Sequence, residues 1–436
     1  MRFVKTSLLA GLGAGFASLV LAAGASAATP GTVSTTPASF TPWLLRTTPN
    51  QRVEQLLQCG STMYAVGTIS SIGQGRQTFT RGNAFSFSAT TGVLTSWNPA
   101  ANAPVRSIAL SPDCSTAYLG GSFTTVRGVA SKYIAAVDTT TGAVKTGFAR
   151  DASNAVMTVQ YTHGAVIAGG AFTSINGVAR SRMASLDPST GAVTSYLNIP
   201  AKGTYPRTST EVYNSQLSHA GDRMLIEGVF TSLGSTPRQQ VAMLDLNGPS
   251  VVIDNWFSTE LNAACDPIES FYARSANWSP DDATVYIAST GYKPASGPGS
   301  ATWQPRAGLC DAVAAFPATS TNVAHEWVNY TGCDSYYSVA ADANNVYVSG
   351  HERWANNGFG CDAAGPGALS RPGIASINPT TGQATAWNPT RALGYGTHEL
   401  YLTGAGLWVA SDIYSDGNAQ KCGAVTNKGG ICLLPY

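Results

Sequence analysis

The 436-residue chain carries a net charge of +1, and charged residues make up 11% of it, against roughly 25% in typical soluble domains. This balance gives no electrostatic reason for a nucleic-acid or anionic-lipid partner, so we expect neither. Glycine is abundant, and uncharged polar residues take the positions that charged residues usually occupy. That composition is typical of an exported β protein.

The first 27 residues predict a secretory signal peptide. A positively charged start is followed by an apolar stretch broken by glycines and by small residues at 25–27. The apolar stretch is shorter than the ~20 residues that cross a bilayer, so we expect cleavage, a secreted protein and no membrane anchor. Residues 28–38 are predicted to be a flexible linker, and residues 39–436 a single domain.

One phrase recurs along the chain: an apolar strand, a Thr-Gly turn, and a second short strand that ends on an aromatic residue. Two strands around such a turn form a hairpin. Four copies are clear, at residues 84–97, 134–148, 183–196 and 374–387. A single hairpin cannot bury its faces, so the copies are expected to stack on one another.

Each hairpin closes a longer unit, which starts with a short strand such as 105–110 and a second strand ending in glycine such as 117–123. Helical periodicity is absent. The aromatic residues that close the units are Trp43, Trp97, Phe148, Tyr196, Trp256, Trp327 and Trp387.

The two ends of the chain are incomplete in complementary ways. The last unit stops at residues 430–436 without a fourth strand, and the strand around Trp43 lacks the other three. The sequence therefore predicts an all-β, seven-bladed β-propeller of four-stranded blades, with its last blade closed by the N-terminal strand. A solenoid is the alternative, and it would need capping segments.

The eight cysteines have no CxxC spacing, which argues against zinc or a thioredoxin-like site, and their even number favours disulfides. Eight cysteines allow many connectivities. Alignment of the repeats suggests Cys59 with Cys114, Cys265 with Cys333, and Cys422 with Cys432, leaving Cys310 and Cys361 without an assigned partner.

Residues 120–129 (GGSFTTVRGV), followed by 134–138 (IAAVD) and Thr141-Gly142, resemble the repeat of secreted actinobacterial propellers of the delta-60 type. Residues 169–191 match it as well. The resemblance implies a propeller and export, and says little about activity.

The hairpin also resembles the tryptophan-docking motif of quinoprotein propellers, in which the aromatic residue of one blade stacks on the glycine turn of its neighbour. That resemblance implies that Trp97, Trp256, Trp327 and Trp387 join blades. The residues that precede the turn, Asp138, Asp187, Asp245 and Asn378, are expected to cap its backbone.

Signatures of enzymes are absent from the sequence. It contains no GxSxG or HExxH motif and no phosphate-binding glycine loop. We therefore predict no catalytic residue, no metal and no cofactor. The adjacent pairs His351-Glu352 and His398-Glu399 are expected to lie on the surface, their side chains facing opposite ways along a strand.

A candidate site lies in the first strand of each unit, which lines the central channel of a propeller. One position in this strand changes its chemistry from unit to unit while its neighbours stay apolar or small. We expect the following residues to meet at one channel mouth and bind a small polar ligand or a cation: Glu54, Arg106, Tyr213, Glu269, Tyr336 and His398. The alternative is a solvated lining of paired charges.

A second candidate site is the surface of the long loops at 291–308, 351–371 and 414–429. They carry Trp303, Trp354 and Phe359, and aromatic residues on loops suit carbohydrate or protein recognition. The alternative is that they pack over the blade edges.

Together these features favour an exported binding or scaffold module for an extracellular glycan, small molecule or protein. The alternative is an extracellular enzyme, either a quinoprotein-like oxidoreductase or a glycan hydrolase or lyase. The first lacks an adjacent cysteine pair and a recognisable calcium and cofactor site. The second needs paired carboxylates, for which the first strands offer only Glu54 and Glu269.

Overall fold

A computed structural model describes residues 31–46, 51–262, 265, 272–291, 308–319, 321–391, 396–413, 421–422, 425–426 and 429–436. The predicted signal peptide lies outside the described residues, as do Glu269 and Trp303. In the described part of the chain, no helix has the length and hydropathy needed to cross a membrane.

Nearly all regular structure in these ranges is antiparallel β-sheet. Seven sheets follow one another along the chain, and we number them in that order. Their strands are: sheet 1, Arg52–Cys59, Thr62–Thr68 and Ala84–Ser88; sheet 2, Val105–Leu110, Thr116–Gly121 and Ile134–Asp138; sheet 3, Val156–Thr162, Ala165–Gly170 and Met183–Leu186; sheet 4, Glu211–Leu217, Arg223–Val229, Val241–Asp245 and Val252–Ile253; sheet 5, Ala273–Trp278, Thr284–Ser289, Ala312–Pro317 and Trp327–Tyr330; sheet 6, Tyr336–Ala341, Val346–Gly350 and Ala375–Ile377; sheet 7, Thr397–Thr403, Gly406–Ser411 and Ile431–Pro435.

Small hairpins follow the second strand of most sheets, so they lie at the same end of the sheet as the start of its first strand. They are Ser71–Gln74 with Gln77–Thr80, Thr125–Val126 with Val129–Ala130, Ser174–Ile175 with Val178–Ala179, Ser232–Leu233 with Thr236–Pro237, Trp354–Ala355 with Leu369–Ser370, and Lys421–Cys422 with Val425–Thr426. The remaining elements are the strands Trp43–Leu44 and Ala201–Lys202 and the 3-10 helix Thr259–Asn262.

The predicted fourth strand is regular only in sheets 4 and 5 of the described chain. In sheets 1, 2, 3 and 6 it is reduced to a single bridge, such as Phe87 with Leu94 or Val137 with Val144. The predicted capping of the turn before it is present: the amide of Thr141 donates to Asp138 Oδ1 at 2.7 Å. Hydrogen bonds from Thr141 lower the pKa of the Asp138 carboxyl.

Buried apolar side chains gather between neighbouring sheets. Each pair of consecutive sheets shares one cluster, and sheets 7 and 1 share another, in which the rings of Trp408 and Phe87 lie 5.7 Å apart. The first strand of each sheet also lies against that of the next, and the first strand of sheet 7 lies against that of sheet 1. Burial between sheets is therefore the main apolar contribution to stability.

The predicted tryptophan contacts join the sheets. Each indole Nε1 donates to a backbone carbonyl beyond its own sheet: Trp97 to Asp138 at 3.0 Å, Trp256 to Pro317 at 3.0 Å, Trp327 to Pro379 at 2.7 Å and Trp387 to Val33 at 2.6 Å. The Trp327 ring also covers Gly382, where an added Cβ would lie 2.7 Å from it. The glycine in this turn is needed because any side chain would displace the ring.

The N-terminal segment corrects two predictions. Val33 is buried, and the amides of Ser34 and Ala38 donate to carbonyls of the last strand, Ile431–Pro435, at 2.6 and 2.8 Å. The structure thus gives a packed segment where the composition predicts a flexible linker, because this segment covers the open edge of sheet 7.

The aromatic residue that closes this segment is Phe40 and not Trp43. Phe40 lies over Gly92, at the hairpin turn of sheet 1, where an added Cβ would meet its ring at 3.2 Å. Trp43–Leu44 pairs with Ser71–Gln74, next to sheet 1, and Leu44 also bridges Gly429, just before the last strand, as predicted for the strand around Trp43. The sequence predicts the docking role for Trp43, which has the larger ring. Phe40 takes this role because it follows directly after the residues that bond to sheet 7, Ser34 and Ala38.

Disulfides join Cys59 with Cys114, Cys265 with Cys310, and Cys333 with Cys361. The first confirms its prediction and links sheets 1 and 2. The predicted pair Cys265–Cys333 is wrong, because each of these cysteines finds its partner within 45 residues. Cys432 is disulfide-bonded, and the side chain of Cys422 lies outside the described residues, so that pair remains a prediction.

Candidate functional site

Every first strand contains a β-bulge at the same place. In sheet 1, for example, Val53 pairs with Gly67 and Gln55 with Val66, so that the strand pairing skips Glu54. The residues skipped in this way, which we call the seven bulge residues, are Glu54, Arg106, Met157, Tyr213, Arg274, Tyr337 and His398. A bulge turns one side chain out of the alternating pattern of its strand.

All seven bulge residues line one cavity of about 610 Å³ between the first strands. We use the name mouth for the end of the cavity around which these seven residues lie. Small-molecule sites usually have volumes of this order, about 300–1,000 Å³. The repeated bulge therefore aims seven different side chains into a space of ligand size.

The structure brings together four of the residues predicted for this site, since Glu54, Arg106, Tyr213 and His398 line the cavity, and their binding of a ligand stays a prediction. Tyr336 is wrong: it is fully buried in the cluster between sheets 5 and 6, and the next residue, Tyr337, is the bulge residue. Glu269 lies outside the described residues, and the bulge residue of sheet 5 is Arg274.

Glu54 is a carboxylate of the mouth with three side-chain partners. Its Oε1 accepts from Arg52 Nε at 2.6 Å and from Arg106 Nη1, and its Oε2 lies 3.4 Å from His398 Nδ1. Burial raises the pKa of Glu54, but the charges of His398, Arg106 and Arg52 outweigh it, and the net pKa is below the usual value. Glu54 is therefore a carboxylate at neutral pH.

His398 lies on the other oxygen of this carboxylate from the two arginines. Burial lowers its pKa, Glu54 raises it, and the positive charges of Arg52 and Arg106 lower it again, so the net shift is downward. The imidazole is consequently neutral at pH 7 and leaves the positive charge of the mouth to the arginines.

Two tyrosines complete the wall. The Tyr213 hydroxyl donates to the carbonyl of Ala273 in the next sheet. The Tyr337 hydroxyl lies 3.3 Å from Nδ1 of His351, and the two rings meet edge to face at 4.8 Å. The expectation of a surface pair at His351-Glu352 is thus wrong, because His351 packs beside the mouth and Glu352 is fully buried.

In four sheets the residue after the bulge accepts a hydrogen bond from the next sheet. Edge strands leave backbone N–H groups without a partner, and side chains of this column accept from them: Gln55 from Ile108 at 2.7 Å, Ser107 from Val159 at 3.0 Å, Ser338 from Leu400 at 2.7 Å, and Glu399 from Leu56. Sheets 7 and 1 are therefore connected in the same manner as sheets that are consecutive in the chain.

Glu399 differs from the other acceptors in this column because it can ionise. Burial raises the pKa of Glu399 to about 8, and the hydrogen bond from Leu56 lowers it only in part. Burial likewise raises the pKa of Glu227, in sheet 4, to about 7. The prediction that His398-Glu399 is a surface pair is therefore wrong as well. Both residues line the cavity, and Glu399 is protonated at neutral pH.

We expect Glu399→Gln to flatten the pH dependence of stability. The folded protein keeps this proton between about pH 4.5 and pH 8, where the unfolded chain loses it, so the free energy of unfolding falls as the pH rises through this window. The slope for one such group is about 1.4 kcal/mol per pH unit. Glutamine has no proton to lose and can accept from Leu56, so the variant gains stability over the wild type towards pH 8.

Urea denaturation at pH 5, 6.5 and 8 measures this effect. The matched control is Glu326→Gln, which removes an exposed carboxylate and should run parallel to the wild type. Equal slopes in all three proteins would contradict the assignment of a buried, protonated Glu399.

The second predicted site is only partly described. Phe359 is 44% exposed and Trp354 is half-buried, its ring 4.5 Å from the guanidinium of Arg353. Arg353 in turn pairs with Asp334 at 2.8 Å, and the Cys333–Cys361 disulfide fixes the same loop. Trp354 therefore lies against Arg353, and of the two aromatic residues Phe359 is the exposed one.

The described residues contain no group of three or more His, Cys, Asp or Glu side chains arranged to hold a metal ion. No protein-family model matches the chain, and no curated protein matches it. Solved structures do resemble it. The WD40 repeats of RRP9 give a TM-score of 0.53 at 10% sequence identity, covering 92% of this chain and 98% of that chain.

A structure of U3-55K gives the same TM-score of 0.53 at 10% identity and covers 92% of this chain and all of that one. Hydrazine synthase of Kuenenia stuttgartiensis has a TM-score of 0.47 at 12% identity, with 82% and 94% of the two chains covered. At such identities the likeness to WD40 repeats shows the fold alone: the chain is an all-β protein with a β-propeller fold.

Proposed function

We propose that the protein is a secreted, seven-bladed β-propeller that binds a small extracellular ligand at the mouth. The seven sheets are its blades, and the segment from residue 31 to Phe40 closes sheet 7 against sheet 1. Export is supported by the three disulfides, which persist in oxidising compartments, and by the signal-like N-terminus of the sequence. The delta-60 resemblance supports the same location.

Closure of the ring is supported by the contacts between sheets 7 and 1. Leu56 donates to Glu399, and the amide of Gln58 donates to the Tyr401 hydroxyl at 3.2 Å. An isolated bridge joins Arg52 with Asp412, and the amide of Ile413 donates to Gln51 at 3.0 Å. A ring accounts for these contacts, whereas an open stack would leave both sheets with a free face.

One observation carries the functional proposal. The bulge occurs in all seven first strands, yet the residue that it turns into the cavity is acidic, basic, aromatic, thioether or imidazole. A purely structural bulge would accept similar residues throughout. Seven side chains of five chemical types around one cavity suit a specific small-molecule site.

An enzyme on this scaffold is the alternative function, and one feature favours it. Glu54 is ionised and Glu399 is protonated in the same cavity, and carboxyl groups with separated pKa values are typical of acid–base pairs. Glu399, however, accepts from Leu56 in the way that Gln55 and Ser107 accept elsewhere. A structural role therefore accounts for Glu399, and we favour binding over catalysis.

The variant Met157→Trp tests the site by filling the mouth without removing a charged group. A thermal-shift screen of sugars, sugar acids and small metabolites should give hits with the wild type that disappear with Met157→Trp. Thr78→Trp, at an exposed hairpin position away from the cavity, is the control and should keep every hit. Hits that survive the filling of the mouth would contradict this site and would point to the loop around Phe359.

A further inference from the structure

Basic residues are concentrated on one part of the surface of sheets 2, 3 and 4. Four segments form it: 122–133 and 171–182, which contain the small hairpins of sheets 2 and 3, and 149–155 and 198–211, which lead to the first strands of sheets 3 and 4. We call their exposed face the basic surface. Its basic residues are Arg127, Lys132, Arg150, Arg180, Arg182, Lys202 and Arg207, and its acidic residues are Asp151 and Glu211. All nine residues belong to the described part of the chain.

Backbone hydrogen bonds join the four segments into one surface. They run from the amide of Lys132 to the carbonyl of Arg150 at 2.9 Å, from Asn176 to Asp151 at 2.7 Å, and from Ala201 to Ser181 at 3.3 Å. The basic residues of three sheets can therefore act on the same partner.

The acidic residues of the surface and its surroundings leave an excess of positive charge. Asp151 pairs with Lys132 at 3.3 Å, but both side chains are more than half exposed, and such pairs are weak. Arg127 bonds to the Thr-Gly turn of sheet 2, so the turns of sheets 2 and 3 have to be counted as well. They add Asp138, Lys145 and Asp187. Eight basic residues then stand against four acidic ones, whereas the whole chain has a net charge of only +1.

A groove of about 270 Å³ lies within the basic surface, between the hairpin of sheet 3 and the connection to sheet 4. Arg180 and Asn198 contribute polar groups to its wall, and Met183, Ile199 and Pro200 contribute apolar ones. Its volume is slightly below the range of about 300–1,000 Å³ for complete small-molecule sites. The groove is therefore of a size for one residue of a longer chain, which would continue past the basic residues on either side.

The basic surface lacks the groups on which nucleic acids and membranes depend. The aromatic side chains of its four segments are all buried or half-buried, so unpaired bases would find no stacking platform. Val178 is the one exposed large hydrophobic residue in these segments, which is too little for insertion into lipid or for the apolar centre of a protein interface. Positive charge without exposed apolar area favours a hydrated, anionic polymer.

We infer that the basic surface binds an acidic polysaccharide outside the cell. One sugar residue lies in the groove, and the carboxylate or sulfate groups of its neighbours pair with the exposed lysines and arginines. This inference rests on the proposed export of the protein and adds a second site, which is independent of the ligand of the mouth.

Biolayer interferometry with immobilised polygalacturonate and chondroitin sulfate, next to neutral dextran, tests the inference. We expect both acidic polymers to bind and dextran not to bind. The Kd should be at least tenfold higher at about 300 mM than at about 50 mM sodium chloride, because salt screens the attraction between exposed charges. Single-stranded DNA and polyglutamate should bind more weakly than the two polysaccharides.

Two pairs of variants locate the site. The double variant Lys202→Gln, Arg207→Gln alters two exposed side chains and should raise the Kd at least tenfold. Arg76→Glu changes the net charge by the same amount at an exposed hairpin tip of sheet 1 and should leave the Kd within twofold. Ala179→Trp fills the groove and should also weaken binding, whereas Thr78→Trp should not.

The outcomes separate this inference from the proposed site at the mouth. Acidic polysaccharides that bind no better than dextran, or that bind the double variant like the wild type, would overturn the basic surface and leave the mouth untouched. DNA or polyglutamate that binds as tightly as the polysaccharides would overturn the class of partner. Met157→Trp should leave polysaccharide binding unchanged, and a loss in this variant would place the polymer in the mouth and overturn the second site.

Discussion

Replacement of Gly170 by alanine should destabilise the protein by about 3 kcal/mol, at the upper end of the range for overpacking of a well-filled core. Gly170 ends the second strand of sheet 3 and pairs with Val156, directly before the bulge residue Met157. A Cβ at this position would overlap the carbonyl oxygen of Ala155. Because the obstacle is backbone, no rotation of a side chain relieves it, and the first strand has to move.

Denaturant-induced unfolding measures this loss, and Gly147→Ala is the matched control. Gly147 has no neighbouring atom within 4 Å of an added Cβ, so its replacement should change the free energy of unfolding by no more than about 0.5 kcal/mol. Similar losses in the two variants would contradict the idea that the glycine makes room for the bulge. Gly170→Ala should also weaken ligand binding, because it shifts Met157.

Replacement of Trp256 by alanine should cost about 3–5 kcal/mol, as expected for a fully buried large side chain. Trp256 is 1% exposed, its indole donates to Pro317 at 3.0 Å, and its ring meets Phe316 edge to face at 6.3 Å. It joins sheets 4 and 5, so both the apolar contact and the hydrogen bond between them are lost.

Two further variants separate these contributions. Trp256→Phe keeps much of the packing and removes the indole N–H, which should cost about 1 kcal/mol for the hydrogen bond in addition to the smaller ring. Trp354→Ala removes a half-buried tryptophan from a loop and should cost less than Trp256→Ala. Equal losses at Trp256 and Trp354 would contradict a special role of the docked aromatic residues between sheets.

The repeat pattern of the sequence predicts much of the fold because the same physical demands recur in each unit. A glycine stands at or next to the end of the second strand at Gly121, Gly170, Gly228 and Gly350, and in each case an added Cβ would overlap backbone at the start of the first strand. The Thr-Gly turn and its Asx cap recur for a similar reason. Such local requirements are visible without coordinates.

The same glycines could have corrected the site prediction. Gly350 pairs with Tyr336, the residue before the bulge, so the bulge residue is Tyr337. Two adjacent tyrosines fit either register of this strand, and a shift by one residue moves a side chain from cavity to core. In sheet 5 this signal is missing, since Ser289 stands opposite Ala273. The long insertion before this strand then led the alignment to Glu269.

Apart from the glycine opposite the residue before it, the bulge has no signature in the sequence. The groups that meet around Glu54 depend on the tertiary structure, since Arg52, Arg106 and His398 belong to three different sheets. The same limit applies to the N-terminus. Phe40 and Trp43 are both aromatic, and only the path of the chain past sheet 7 decides which of them covers Gly92.

A crystal structure of the protein grown with a hit from the thermal-shift screen would test the central claim most directly, namely that the seven bulge residues surround one ligand site in a closed ring. We predict difference density for one molecule of that compound in the mouth, in contact with bulge residues, with the N-terminal segment seated beside Ile431–Pro435. Density for the compound on the outer loops near Phe359, with an empty mouth, would contradict the account.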